Sequence, residues 1–134
     1  EHEESFYRRF LELLGERATL WLAKLDGKVV GGALMVHFGA TVTYYFGASS
    51  SEVREAKVGH ALQWHAICEA KKAGAKFYDF LGISAEGDTT DSLAKVTQFK
   101  LGFGGNRVVY QKGQVFAYRP FWWWIYKIAK RCRV

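Results

Sequence analysis

The segment 18–47 constrains this chain more than any other. ATLWLAKL (18–25) and VVGGALMVHF (29–38) are apolar runs on either side of Asp26-Gly27-Lys28. Asp-Gly tolerates the positive φ that a tight hairpin turn demands, so the two runs read as paired strands. Gly39-Ala40 turns the chain again into TVTYYFG (41–47), rich in β-branched and aromatic residues. A three-stranded antiparallel meander is expected, with Gly31-Gly32 allowing a bulge or close packing in its middle strand.

The flanking segments add helices. Over 5–16, Phe6, Tyr7, Phe10, Leu11, Leu13 and Leu14 recur at helical spacing, with Arg8, Arg9, Glu12 and Glu16 on the opposite face. After a polar loop (48–55), a helix is predicted over 56–73, ending in Lys71-Lys72 and capped by Gly74. Its apolar residues Val58, Leu62, Trp64, Ile67 and Cys68 are spread widely around the wheel, which predicts burial on more than one side. KFYDFL (76–81) reads as a short apolar strand of the kind found at the centre of a sheet. A loop (82–92), a helix (93–101) closed by Gly102, strands at 107–112 and 114–119 about Lys112-Gly113, and an aromatic basic helix over 119–134 complete the chain. The expected class is α+β: a mixed, mostly antiparallel sheet with helices on both sides. No internal repeat or linker interrupts 1–134, and 134 residues suit one domain with a core. The element order matches that of the GNAT acyltransferase fold.

Hydrophobic residues at 49% and charged residues at 24% exclude a disordered chain. Cys68 and Cys132 are far apart and form no disulfide framework, so a reducing cytoplasmic setting is expected. The chain starts at Glu1 and its only methionine is the internal Met35; the expectation is a piece of a longer protein. The net charge of +6 is uneven, because residues 119–134 hold five basic and no acidic residues and the rest carries +1. Phe121, Trp122, Trp123, Trp124 and Tyr126 share that stretch. Aromatic anchors beside cations suit a lipid headgroup interface or a nucleic-acid backbone, and they equally suit a terminal helix packed on protein. All three stay open here.

Few residues carry chemistry. Asp79 is the charged residue inside the strand FYDFL; it either orients an acceptor amine or accepts hydrogen bonds from the loop after Gly82. Lys100, beside Phe99 and before Gly102-Phe103-Gly104-Gly105, either stabilises an oxyanion or complements the helix dipole. That glycine run ends a helix, whereas a phosphate loop opens one. At the start of the long helix, Ala56-Lys57-Val58-Gly59-His60-Ala61 departs in its first position from the Arg/Gln-x-x-Gly-x-Gly/Ala pattern that holds an acyl-CoA pyrophosphate. His60, His65 and Cys68 share a helix, but the spacing of five between the histidines does not build a zinc site.

The stretch 64–83 (WHAICEAKKAGAKFYDFLGI), followed by FKLGFGG (99–105), resembles the Fem-type peptidoglycan bridge-forming aminoacyltransferases. The second GNAT-like domain of that family carries comparable Tyr-Asp…Gly-Ile and Phe-Lys-x-x-Phe-Gly-Gly segments, and the likeness runs from about residue 5 to 126. It implies transfer of an amino acid from aminoacyl-tRNA to a stem-peptide amine of a nucleotide- or lipid-linked muramyl peptide. It implies no bound cofactor: aminoacyl-tRNA is the co-substrate, ahead of acetyl-CoA. Phe99 and Lys100 are the implied catalytic pair, and Tyr45, Asp79 and Gly82 are the substrate-binding candidates. It further implies an N-terminal GNAT-like partner domain that this chain lacks, and work at the cytoplasmic face of the membrane.

Overall fold

The computed structural model describes residues 3–88, 90–111 and 113–131. Its elements are α1 (Glu4–Leu14), β1 (Ala18–Leu25), β2 (Lys28–Phe38), β3 (Thr41–Ser49), α2 (Val58–Lys72), β4 (Phe77–Asp79), α3 (Ala94–Leu101) and α4 (Pro120–Arg131), with 3-10 turns at Gly15–Arg17 and Ser51–Ala56. The meander forms as the turn chemistry requires: Asp26 has φ 50° and Gly27 φ 79°, and Leu25 pairs with Lys28. The sheet order is β1-β2-β3-β4. The first three strands are antiparallel, and β4 joins β3 in parallel only over Thr41–Thr43 and Phe77–Asp79.

Helices cover both faces, giving the α+β class expected. On one face α2 buries Val58, Leu62, Ala66 and Ala70 against Ala33, Met35 and Val42. Gly31 lets α2 come close, because a Cβ there would lie 2.8 Å from Val58 Cγ1. On the other face α1 sets Phe6, Tyr7 and Phe10 around Phe46. β3 carries an extra residue here: Leu34 pairs with Phe46 and Met35 with Tyr44, so Tyr45 has no partner across the ladder. That bulge turns Phe46 toward α1, where strict alternation from Val42 would aim it at α2.

Three expectations are corrected. The buried residues of α2 lie on one side of the helix, and Trp64 is 63% exposed; small Ala66 and Ala70 supply the buried stripe that bulkier residues were expected to widen. The apolar strand β4 is an edge of the sheet among the described residues, with Phe77 largely exposed. No strand forms among the described residues of 107–119, Lys112 lying outside them. Val109, Tyr110, Phe116 and Tyr118 are nearly all exposed there, so pairing would bury no apolar face, and a lone hairpin is marginal in water.

The chain divides into two compact units, Glu1–Phe103 and Gly104–Val134. In the second, Pro120 opens α4, a position where its missing N–H costs nothing. Trp123 stacks on Tyr126 at 5.3 Å, and Lys127 Nζ lies 5.5 Å above the Trp123 ring. Phe121, Trp122 and Trp124 are exposed, and Lys130 and Arg131 fill the last turn. Cys132 and Arg133 lie outside the described residues. No helix among the described residues is long and apolar enough to cross a membrane.

Candidate active site

The parallel pairing of β3 with β4 ends at Thr43 and Asp79, and Lys100, Gly82 and Asp79 come together next to that end. α3 presents its Phe-Lys pair to two neighbours. Lys100 is buried and its Nζ donates to the Gly82 carbonyl at 2.7 Å. Burial pushes the Lys100 ammonium below its ordinary pKa, and the Asp79 carboxylate opposes that shift. An ammonium has three N–H donors, so two remain beside the one given to Gly82. Asp79 accepts from the Leu81 amide at 2.8 Å, which holds the turn where Leu81 takes φ 59°. Asp79 therefore does the backbone-capping job weighed in its sequence, and from that position it also supplies the negative charge felt by Lys100.

A second pair fixes the loop. The Ser84 amide donates to Thr97 Oγ1 at 2.8 Å, and Thr97 Oγ1 lies 3.1 Å from Ser84 Oγ, all buried. Thr97 sits one helical turn before Lys100, so this contact locks the 80–84 loop to α3 where Lys100 reaches it.

Phe99 points elsewhere. Its ring covers Gly59 at the start of α2, 3.5 Å from where a Cβ would be, and meets His60 edge-on at 4.9 Å. It also lines a cavity of about 190 Å³ between β2, β3 and α2, together with Ala33, Tyr44, Leu62 and Gln63. A neighbouring hollow of about 260 Å³ shares Phe99 and Gly59 and is bounded by Ser49–Ser51, Lys57 and His60. The ring of His60 stacks on Phe103, whereas His65 meets Trp21 edge-on, so the two histidines turn to different partners.

Lys100, Gly82 and Asp79 thus come together, with Phe99 on the adjoining cavity. Tyr45 does not join them. Its ring lies on Phe10 of α1 at 5.3 Å, on the far face of the sheet. Its neighbour Tyr44 takes the cavity-facing position, as the phase set by Val42 requires. Tyr44 folds back over Gly47, where any Cβ would collide with the phenol.

Sequence reasoning also missed Gln63 and Tyr78. Gln63 is 1% exposed, and its Oε1 accepts from the Tyr78 hydroxyl at 2.7 Å. Burial raises the phenol pKa of both Tyr78 and Tyr44, so both stay protonated donors. The available signal was a polar residue directly beside the buried stripe Val58-Leu62-Ala66-Ala70.

Comparison with known proteins identifies the family and the fold. The acetyltransferase (GNAT) domain family matches residues 1–100. A lipid II:glycine glycyltransferase of Staphylococcus saprophyticus is 32% identical over 93 residues, 69% of this chain and 22% of that protein. The crystal structure of FemX superposes with a TM-score of 0.51 at 29% identity, covering 72% of this chain and 22% of that one. The ribosomal-protein-S18-alanine N-acetyltransferase of Escherichia coli gives a TM-score of 0.52 at 21% identity over 71% of this chain and 58% of that one, a likeness of fold alone. The Fem-type resemblance is therefore borne out. The chain spans about a fifth of the length of the glycyltransferases it matches.

Proposed function

Because the chain belongs to the acetyltransferase (GNAT) domain family, we propose that it is the C-terminal domain of a transferase that moves an amino acid from aminoacyl-tRNA to a stem-peptide amine of a lipid-linked muramyl peptide. The observation that carries this reading is the buried Lys100 ammonium, held by the Gly82 carbonyl and within the field of the Asp79 carboxylate, on the same short helix whose Phe99 lines a small cavity. An aminoacyl ester is already activated, so positioning and charge stabilisation suffice for the reaction. The acceptor nitrogen attacks the ester carbonyl carbon and a C–N bond forms. Negative charge gathers on the carbonyl oxygen, where a remaining Lys100 N–H stabilises it. The C–O bond to the terminal ribose then breaks, and the ribose oxygen takes the proton that the amine loses.

The relatives named as glycyltransferases of lipid II support a lipid-linked acceptor. A second GNAT-like domain, N-terminal to this chain, would complete the acceptor surface. The basic aromatic stretch 119–134 would rest on the cytoplasmic face of the membrane, where such an acceptor is anchored.

The test follows precursor mass in the presence of the longer protein and either aminoacyl-tRNA or acetyl-CoA. Gain of one amino-acid residue with the tRNA donor alone is the expected result. Lys100→Ala should slow it about 100- to 1,000-fold, the usual cost of one oxyanion donor. An acetyl increment would instead favour an acyl-CoA N-acyltransferase, a reading supported by the 260 Å³ hollow at the start of α2.

A further inference from the structure

Gln63 is placed where a core residue has no reason to be polar. It is 1% exposed on the inner stripe of α2, among Leu62, Ala66 and Ala70. Its amide oxygen is taken by the Tyr78 hydroxyl at 2.7 Å, and that hydroxyl lies 3.4 Å from Met35 Sδ. Its amide nitrogen has no acceptor among the described residues, and the side chain forms part of the wall of the 190 Å³ cavity. No buried side-chain nitrogen or oxygen among the described residues lacks a partner, so this amide nitrogen is open to the cavity rather than sealed in the core, and an acceptor entering the cavity would replace water on it. The rest of the wall is mostly small or apolar around Gly32, Ala33, Leu62 and Phe99, with Ser49 and Tyr44 as its other polar residues. The volume lies below the roughly 300 Å³ at which drug-sized ligand sites begin. The cavity therefore suits a small group bearing a hydrogen-bond acceptor.

We propose that Gln63, held in orientation by Tyr78, is a specificity-determining residue that donates its amide N–H to the carbonyl oxygen of a small acyl ester seated in this cavity. In identifying that ester with the aminoacyl end of a donor, the proposal rests on the transferase reading above. Recognition of the carbonyl itself does not. Tyr78 acts through Gln63: its hydroxyl fixes which end of the amide faces the cavity. Both phenols stay protonated because burial holds their pKa values up, so neither competes as an anion for the Gln63 amide.

Two probes separate a carbonyl reader from a merely apolar hole. Glycine methyl ester carries the carbonyl; 2-methoxyethylamine has the same amine and methoxy group with a methylene in its place. In titrations of the isotopically labelled 134-residue chain, glycine methyl ester should move the Gln63 side-chain N–H signals downfield. It should bind about tenfold more tightly than the ether. In Gln63→Leu/Tyr78→Phe both partners of the buried bond are removed together, which keeps the core satisfied, and the two probes should bind equally. Equal affinities in the unaltered chain, no movement of the Gln63 signals, or discrimination that survives the double variant would each overturn the proposal. If the double variant does not fold, the two probes on the unaltered chain decide alone. Probe discrimination without amino-acid transfer by the longer protein would sink the transferase reading and leave carbonyl recognition standing. Transfer without probe discrimination would do the reverse.

Discussion

Lys100 is charged and buried, and the two facts pull against each other. Its folded pKa lies below the ordinary 10.5 because burial disfavours the ammonium, with Asp79 recovering part of the loss. Between the folded value and 10.5 the unfolded chain binds more protons than the folded one, so stability rises with pH across that window. Below both values the lysine is charged in both states and the burial penalty stands in full. Lys100→Met removes this titration. The stability of the unaltered chain should therefore rise relative to Lys100→Met as pH climbs from 7 toward 10.5, measured by urea unfolding; parallel curves would show that the ammonium is not strained. Thr97 is the quieter partner. Thr97→Val leaves the buried Ser84 amide without its acceptor and should cost about 1–3 kcal/mol. Thr97→Ser, which keeps the hydroxyl, should recover most of that in the same unfolding experiment.

The bulge in β3 is the element that sorts side chains facing the cavity from those packed on α1. Across it Tyr44 faces the cavity, while Tyr45 and Phe46 face α1. Gly47 makes room for the Tyr44 ring, so Gly47→Ala must displace either the phenol or the strand. An overpacking cost of roughly 1–3 kcal/mol is expected in thermal denaturation, with weaker binding of small esters. β1 to β3 were readable because Asp26-Gly27 and Gly39 are local chemistry that fixes where the strands turn. Lys100, Phe99, Asp79 and Gly82 were readable because two short motifs carry them. Tyr45 lies on the α1 face and Tyr44 on the cavity face, a phase that Val42, on the inward side, already marks. Gln63 left one signal, a polar residue beside the apolar stripe of α2, but its pairing with Tyr78, like that of Ser84 with Thr97, could not be read, because each contact joins residues 15 or 13 apart on different elements. The strand signal over 107–119 misled for a related reason. Alternating Val, Tyr and Phe state a preference, and only a partner face turns it into a sheet.

At the scale of the whole chain, the charge is the strongest asymmetry, since residues 119–134 hold five of the net six positive charges. The 12 residues of α4 extend about 18 Å, well short of the roughly 30 Å hydrocarbon core, so a membrane-bound α4 would lie in the interface. Its exposed Phe121, Trp122 and Trp124 have the amphipathic rings that settle at headgroup depth, and Lys127, Lys130 and Arg131 supply attraction to anionic lipid. Each basic residue near such a surface contributes about 1 kcal/mol, so replacing these three by Gln should weaken binding to phosphatidylserine-containing vesicles on the order of a hundredfold. The attraction is screened within a Debye length of about 10 Å at 0.1 M salt, so raising salt should mimic the substitution in vesicle sedimentation. Trp122→Ala/Trp124→Ala should weaken binding at every salt concentration, because interfacial burial of a ring does not depend on screening. Binding that vanishes with salt yet ignores the tryptophans would mean charge attraction alone, as on an RNA backbone, and would remove the membrane from the proposed function. Loss through both routes places α4 at the lipid surface, on the same side as a lipid-linked acceptor.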